Sequence, residues 1–183
     1  MINTYSLSQA KDSRVLLLTR IILGSCLIAL CAQIRIPLPF TPVPITLQTL
    51  AVMLVGGALG SRNGALSVLL YLAESMLGLP VLSGFRIDPL ALFSPVGGYL
   101  VGFVFQAYLT GWFVENQSIK KRISLLPGVA LASVLGMGCG ALWLAPFVGF
   151  NNIFMMGFLP FIPGEMLKIF IALTVFVRNG SRT

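Results

Sequence analysis

The chain has 183 residues, of which 57% are hydrophobic and 9% are charged, whereas soluble domains carry about 25% charged residues. This composition excludes a soluble globular domain, and the continuous, non-alternating apolar runs also exclude an outer-membrane barrel. A net charge of +7 would suggest nucleic acid in a soluble protein, but in a membrane protein it indicates basic residues kept on the cytoplasmic side, so we expect no nucleic-acid partner.

The sequence predicts a single all-α integral membrane domain over residues 1–183, surrounded by lipid and built as a six-transmembrane-helix bundle. One span needs roughly 20 residues, which leaves room for six spans with short connections. A cytoplasmic tail (1–14) and a second one (178–183) flank the bundle, which covers about 15–177. The predicted spans are Val15–Ile34, Ile45–Leu59, Ala65–Leu79, Gly97–Val114, Leu125–Ala145 and Gly164–Val177. Spans two and three join at a polar turn over Gly60–Gly64.

Three long proline-rich connections follow the first, third and fifth spans. They cover residues 34–48, 80–96 and 146–163. The first holds Pro37, Pro39, Pro42 and Pro44. Proline lacks an N–H and has a fixed φ, which excludes this run from a helix interior or a central strand. Non-helical backbone at membrane depth is tolerated where it is buried in protein or lines a cavity. We therefore expect the connections to fold inward and cap a solute cavity.

The basic residues indicate the orientation. Nine of the twelve fall on the side opposite the proline-rich connections: Lys11, Arg14, Arg20, Arg62, Lys120, Lys121, Arg122, Arg178 and Arg182. The positive-inside rule assigns that side to the cytoplasm. The sequence thus predicts a multi-pass protein of the cytoplasmic (inner) membrane, with both termini cytoplasmic and the connections facing outward.

Glu165 and Lys168 open the sixth span and share one helix face because they are spaced i, i+3. An acid in the first turn of a helix suits the helix dipole. Ionisable groups inside a membrane are expensive and usually functional, so this pair is a candidate polar floor for a ligand. A self-neutralising pair, or a lysine that snorkels outward, is the structural alternative.

Other candidate ligand contacts lie on the connections or beside them. Arg86 has a planar fork suited to a carboxylate, although Asp88 could simply pair with it. Thr46 and Gln48 could hydrogen-bond a ligand, or could instead cap a helix and bond between helices. Tyr99 could stack on a flat ring or lie at the membrane interface. Arg35 follows the first predicted span directly, so we interpret it as an anchor at the membrane interface.

Small residues Ser25, Ala29 and Ala32 share one face of the first span. Such stripes usually pack helices within a protein, and the alternative here is a surface for a partner subunit. The chain has no histidine, no phosphate-binding glycine loop and no paired nucleophile and base, so we expect no enzymatic activity, metal site or cofactor.

Three segments are distinctive: IRIPLPFTPVPITLQTLAV after the first span, LGLP together with SPVGGYLVGF around the second connection, and FIPGEMLK at the sixth span. In these the chain resembles the BioY family, the biotin-binding S components of energy-coupling-factor (ECF) transporters. The resemblance implies a six-helix bundle, biotin as ligand, and a transmembrane coupling protein with two ABC-type ATPases as partners.

The resemblance also implies roles for particular residues. The acid and lysine of the family's PGDxxK motif, which contribute to biotin binding, correspond to Glu165 and Lys168, with Glu in place of Asp. The family's small-residue contact with the coupling protein corresponds to Ser25 and Ala29.

The predicted function is biotin uptake, with the chain as the substrate-binding subunit. A first alternative is a stand-alone ion-coupled secondary transporter of biotin or a related small carboxylate, driven through Glu74 or Glu165. A second is a membrane scaffold that transports nothing.

Overall fold

The structure, a computed structural model, describes residues 4–116 and 125–179, which are mostly helical. The elements in chain order are α1 (Thr4–Gln33), β1 (Arg35–Ile36), β2 (Ile45–Thr46), α2 (Gln48–Met76), α3 (Gly97–Asn116), α4 (Leu125–Val148) and α5 (Ile162–Asn179). The expectation for the basic cluster Lys120, Lys121 and Arg122, and for Arg182, lies outside the described residues.

Four helical segments of the described chain are long and apolar enough to cross a membrane: Arg14–Gln33, Gln48–Met76, Leu125–Val148 and Phe154–Arg178. The predicted class of helical membrane protein is therefore confirmed. α1 begins at Thr4, so residues 4–14 of the predicted N-terminal tail are helical and continuous with the first span; the cytoplasmic position of this tail stays a prediction. α3 is not among these four segments.

α2 reverses direction at Gly60, whose φ of 84° and ψ of 173° are not helical. Gln48 Nε2 donates to the Tyr71 hydroxyl at 2.8 Å across 23 positions, which would be about 35 Å apart on a straight helix. The Glu115 carboxylate accepts from the Ser61 N–H at 3.0 Å and the Ser61 hydroxyl at 2.8 Å, and so caps the second half of α2. The turn predicted over Gly60–Gly64 is therefore confined to Gly60, and the residues after it are helical.

Close helix contacts depend on glycine at two positions. A side chain at Gly56 would collide with the Ala107 carbonyl of α3, and one at Gly102 would collide with the Gly136 carbonyl of α4. Small residues let helix backbones approach in this way. The main buried cluster includes residues of α1, α2 and α3, among them Ile28, Val52, Tyr71, Leu100 and Phe103.

The first connection forms a small antiparallel ribbon in which Arg35 pairs with Thr46 and Ile36 with Ile45, and the four prolines lie between the two strands. The third connection is more helical than predicted. α4 continues through Pro146 to Val148, and short 3₁₀ and π turns occupy residues 150–161 before α5. An apolar segment can form such turns because each satisfies part of its own backbone polarity.

Candidate functional site

A cavity of about 190 Å³ lies where parts of the three connections meet α2 to α5. Six of the seven predicted ligand-contact residues are on its wall: Thr46, Gln48, Arg86, Tyr99, Glu165 and Lys168. The seventh, Asp88, is not. The volume is below the range of about 300–1,000 Å³ typical of drug-sized ligands, which suits a small solute.

The floor of the cavity is built around the Glu165 carboxylate, which is 4% exposed. Its Oε1 accepts from Gln106 Nε2 at 3.2 Å and Ser133 Oγ at 2.9 Å. Its Oε2 accepts from Thr49 Oγ1 at 2.8 Å and Lys168 Nζ at 3.2 Å. A carboxylate has about four acceptor sites, so four donors from α2, α3, α4 and α5 saturate this one.

Lys168 is 7% exposed and does not snorkel to the surface. Its Nζ donates to Thr49 Oγ1 at 2.8 Å and to Glu165 Oε2 at 3.2 Å. An ammonium group has three N–H donors, so one remains for a group in the cavity. The pair is therefore both self-neutralising and positioned on the cavity wall.

Gln48 and Thr46 line the cavity and also make the hydrogen bonds of the structural alternative. The Gln48 amide donates to Tyr71 and accepts from the Thr46 hydroxyl at 3.2 Å, while Thr46 Oγ1 also accepts the Gln48 N–H at 3.3 Å. These bonds fix the two side chains at the cavity wall, at the point where the β-ribbon enters α2.

Tyr99 is held in place at both ends. Its hydroxyl donates to the Gly157 carbonyl at 2.5 Å, and its ring tilts on Phe161 with centroids 5.9 Å apart. It joins α3 to the third connection and offers an aromatic wall to the cavity rather than a free hydroxyl.

Two arginines line the cavity, and only one was a predicted contact. Arg86 pairs with Asp88 at 3.4 Å, with the two side chains 49% and 29% exposed. Arg35 was expected to be an interfacial anchor, but it lies on the cavity wall with its guanidinium against Gly84. Within the described residues the Arg35 side chain has no hydrogen bond or ion pair. Its charge is therefore the less neutralised of the two.

Gln33, at the end of α1, forms hydrogen bonds with the second connection (residues 80–96) beside the cavity. Its Oε1 accepts the Phe85 N–H at 2.7 Å, and its Nε2 donates to the Leu82 carbonyl at 3.3 Å. Phe85 has a φ of 58°, which is unfavourable for a residue with a side chain. Gln33 thus holds a strained turn whose neighbours Leu82 and Arg86 line the cavity.

Two of the three residues of the predicted partner face on α1 lie inside the bundle, and the role of this face in partner binding stays a prediction. Ser25 and Ala32 are completely buried inside the bundle, and Ala29 is half-buried. Ser25 Oγ donates to Glu74 Oε2 of α2 at 2.6 Å, so this stripe packs helices together. Glu74 itself is not on the cavity wall.

The sequence reasoning missed four residues of the site: Arg35, Thr49, Gln106 and Ser133. The last two are polar residues in otherwise apolar spans and lie on α3 and α4. A search for polar groups within predicted spans would have flagged them, but not that they converge on Glu165.

The sequence model of the BioY family matches residues 4–182. A protein of Rhizobium etli named "Biotin transporter BioY" is 39% identical over 171 residues, covering 88% of this chain and 90% of the relative. A "Probable biotin transporter BioY" of Pyrococcus horikoshii is 34% identical and covers 81% and 88%. The described fold superposes on a crystal structure of "the S-component for biotin from an ECF-type ABC transporter" with a TM-score of 0.82 and 30% identity, covering 91% of this chain and 92% of that one.

Proposed function

The chain belongs to the BioY family, and on that premise we propose that it binds biotin and acts as the substrate-binding subunit of an ECF-type ABC transporter. The observation that carries this proposal is the buried Glu165–Lys168 pair, placed on the wall of a small cavity that parts of the proline-rich connections enclose. Ligand sites typically combine apolar walls with a few polar anchors, and this cavity has that character.

The bicyclic ureido ring of biotin lies at the floor. The third N–H of Lys168 donates to the ureido carbonyl. The ureido N–H groups need acceptors, and Glu165 is already saturated by four donors. Ligand binding therefore exchanges at least one of these bonds, and Thr49 is best placed to give way because its hydroxyl can rotate.

The apolar part of biotin packs on the walls. Leu100, Phe103 and Met137 lie around the cavity with Tyr99 and Phe161. Removing apolar surface from water favours binding by about 25 cal/mol per Å². This contribution does not distinguish biotin from other small apolar acids, so selectivity rests on the floor.

The carboxylate of biotin points to the cavity mouth, between Arg35 and Arg86. Asp88 neutralises part of the charge of Arg86, and Arg35 has no counter-ion among the described residues. Arg35 therefore makes the larger electrostatic contribution and Arg86 the smaller one. Asp88 positions Arg86 and does not touch the ligand.

The membrane arrangement has six spans, because the two halves of α2 run in opposite directions and α3 crosses as well. The reversal at Gly60 and the Gln48–Tyr71 bond support this count. The cavity then faces outward and both termini are cytoplasmic, in the inner membrane.

The partners are a transmembrane coupling protein and two ABC-type ATPases. Of the α1 stripe, only Ala29 remains accessible enough to contact the coupling protein. The chain alone captures the ligand, and the ATPases supply the energy that reorients it, since a ligand shifts states only by its differential affinity for them.

Uptake of labelled biotin into reconstituted vesicles tests whether the chain transports biotin only together with its proposed partners. Reconstituted chain alone should bind labelled biotin without accumulating it, and accumulation should require the coupling protein, the ATPases and ATP. Accumulation by the chain alone in response to a proton gradient would establish the ion-coupled alternative. Absence of binding to any small solute would favour a scaffold.

A further inference from the structure

A second cavity, of about 640 Å³, lies on the outside of the bundle between α1, the first half of α2 and the end of α5. It is at the opposite end of the molecule from the ligand cavity, because Leu59 and Val114 on its wall neighbour Gly60 and Glu115, where α2 reverses.

The walls of this groove are apolar and face the membrane. Leu23 and Leu27 of α1 line it and are 62% and 40% exposed. Gly57 and Phe176 also line it, and they pack directly on each other, since a side chain at Gly57 would collide with the Phe176 ring of α5. A lipid chain is the natural occupant of an apolar groove in this position.

One charged side chain, Arg20, lies on the wall of the groove. Arg20 is exposed, and its side chain has no hydrogen bond or ion pair among the described residues. A guanidinium fork binds phosphate in bidentate fashion. Basic pockets between transmembrane helices on the cytoplasmic side bind anionic headgroups.

We propose that this groove binds one anionic phospholipid, with an acyl chain along Leu23 and Leu27 and the phosphate on Arg20. The site is distinct from the proposed partner contact. Arg20 and Ala29 are nine residues apart, which is 2.5 turns of helix and places them on opposite sides of α1.

Native mass spectrometry of the delipidated chain tests the site, with phosphatidylglycerol and phosphatidylcholine of the same acyl chains as probes. We expect one phosphatidylglycerol per chain, bound about fivefold more tightly than phosphatidylcholine, the size expected for one arginine near an anionic lipid. Arg20→Gln should abolish the preference. Arg14→Gln, on the same helix but off the groove wall, should keep it.

Leu23→Trp fills the groove from an exposed position and should weaken both lipids while biotin binding stays intact. Equal affinity for the two lipids, or an equal effect of the Arg14 and Arg20 variants, would overturn the proposal in favour of a non-specific lipid annulus. Equal lipid affinities with loss of assembly in Leu23→Trp would assign the groove to a protein partner instead.

Discussion

Replacing Lys168 with methionine keeps an unbranched side chain one atom shorter and removes its charge and donors. Glu165 would keep three neutral donors, Gln106, Ser133 and Thr49, at 2.8–3.2 Å. Breaking a buried ion pair destabilises a protein by ~3–5 kcal/mol. With both partners less than 10% exposed, solvent screening reduces this little, although the remaining donors favour the lower figure.

The effect on binding is separate from the effect on folding. A hydrogen bond from a charged group contributes ~1.5–3 kcal/mol, so loss of the Lys168 bond to the ligand should weaken biotin binding about 10- to 100-fold. The double variant Lys168→Met/Glu165→Gln removes both charges and should regain most of the lost stability, because no unpaired charge stays buried. Its affinity should remain low.

Thermal unfolding and calorimetric titration with biotin, on wild type and both variants in the same detergent, separate the two effects. Affinity of Lys168→Met within threefold of wild type would refute direct contact between Lys168 and the ligand. So would a double variant that regains affinity together with stability, since that would make the pair purely structural.

Three further outcomes are expected. Arg35→Gln should weaken biotin binding more than Arg86→Gln does, and biotin methyl ester should bind wild type and Arg35→Gln equally; an ester effect as large in Arg35→Gln as in wild type would assign the carboxylate elsewhere. Gln33→Leu should release the second connection and speed biotin dissociation, measured by stopped flow, with little change in melting temperature; an unchanged rate would show that this connection does not close the cavity. Gly60→Ala should destabilise the chain by ~1–3 kcal/mol, because its backbone conformation is almost exclusive to glycine; an unchanged unfolding midpoint would contradict the reversal there.

The proline-rich first connection and the Glu165–Lys168 pair were predictable because their signals are local. Proline restricts its own residue, and an i, i+3 spacing places two side chains on one helix face. The structure accordingly places the four prolines between the strands of a ribbon and joins the pair at 3.2 Å.

The partners of Glu165 were not predictable in the same way. Gln106 and Ser133 reach it across 59 and 32 positions, and no sequence spacing reports how three helices turn toward one another. The burial of most of the small-residue stripe on α1 was not predictable for a related reason. Ser25 and Ala32 are small, and small residues serve internal packing and partner docking equally, so only the packing of α1 on α2 decides between them.

The short helical turns over residues 150–161 were not predicted, because Gly149, Asn151 and Pro160 are residues that usually interrupt helices. Single 3₁₀ and π turns tolerate such residues, since each turn is too short to need an unbroken ladder of hydrogen bonds. Arg35 was passed over because it ends a span, where arginine is commonly an anchor, and its place on the cavity wall depends on how the ribbon folds back.

A titration of the purified chain with biotin, without any partner protein, tests the central claim most directly. The account predicts saturable binding of one biotin per chain, weakened by Lys168→Met and by loss of the ligand's carboxylate charge. An absence of saturable binding by a folded, monodisperse sample would contradict it.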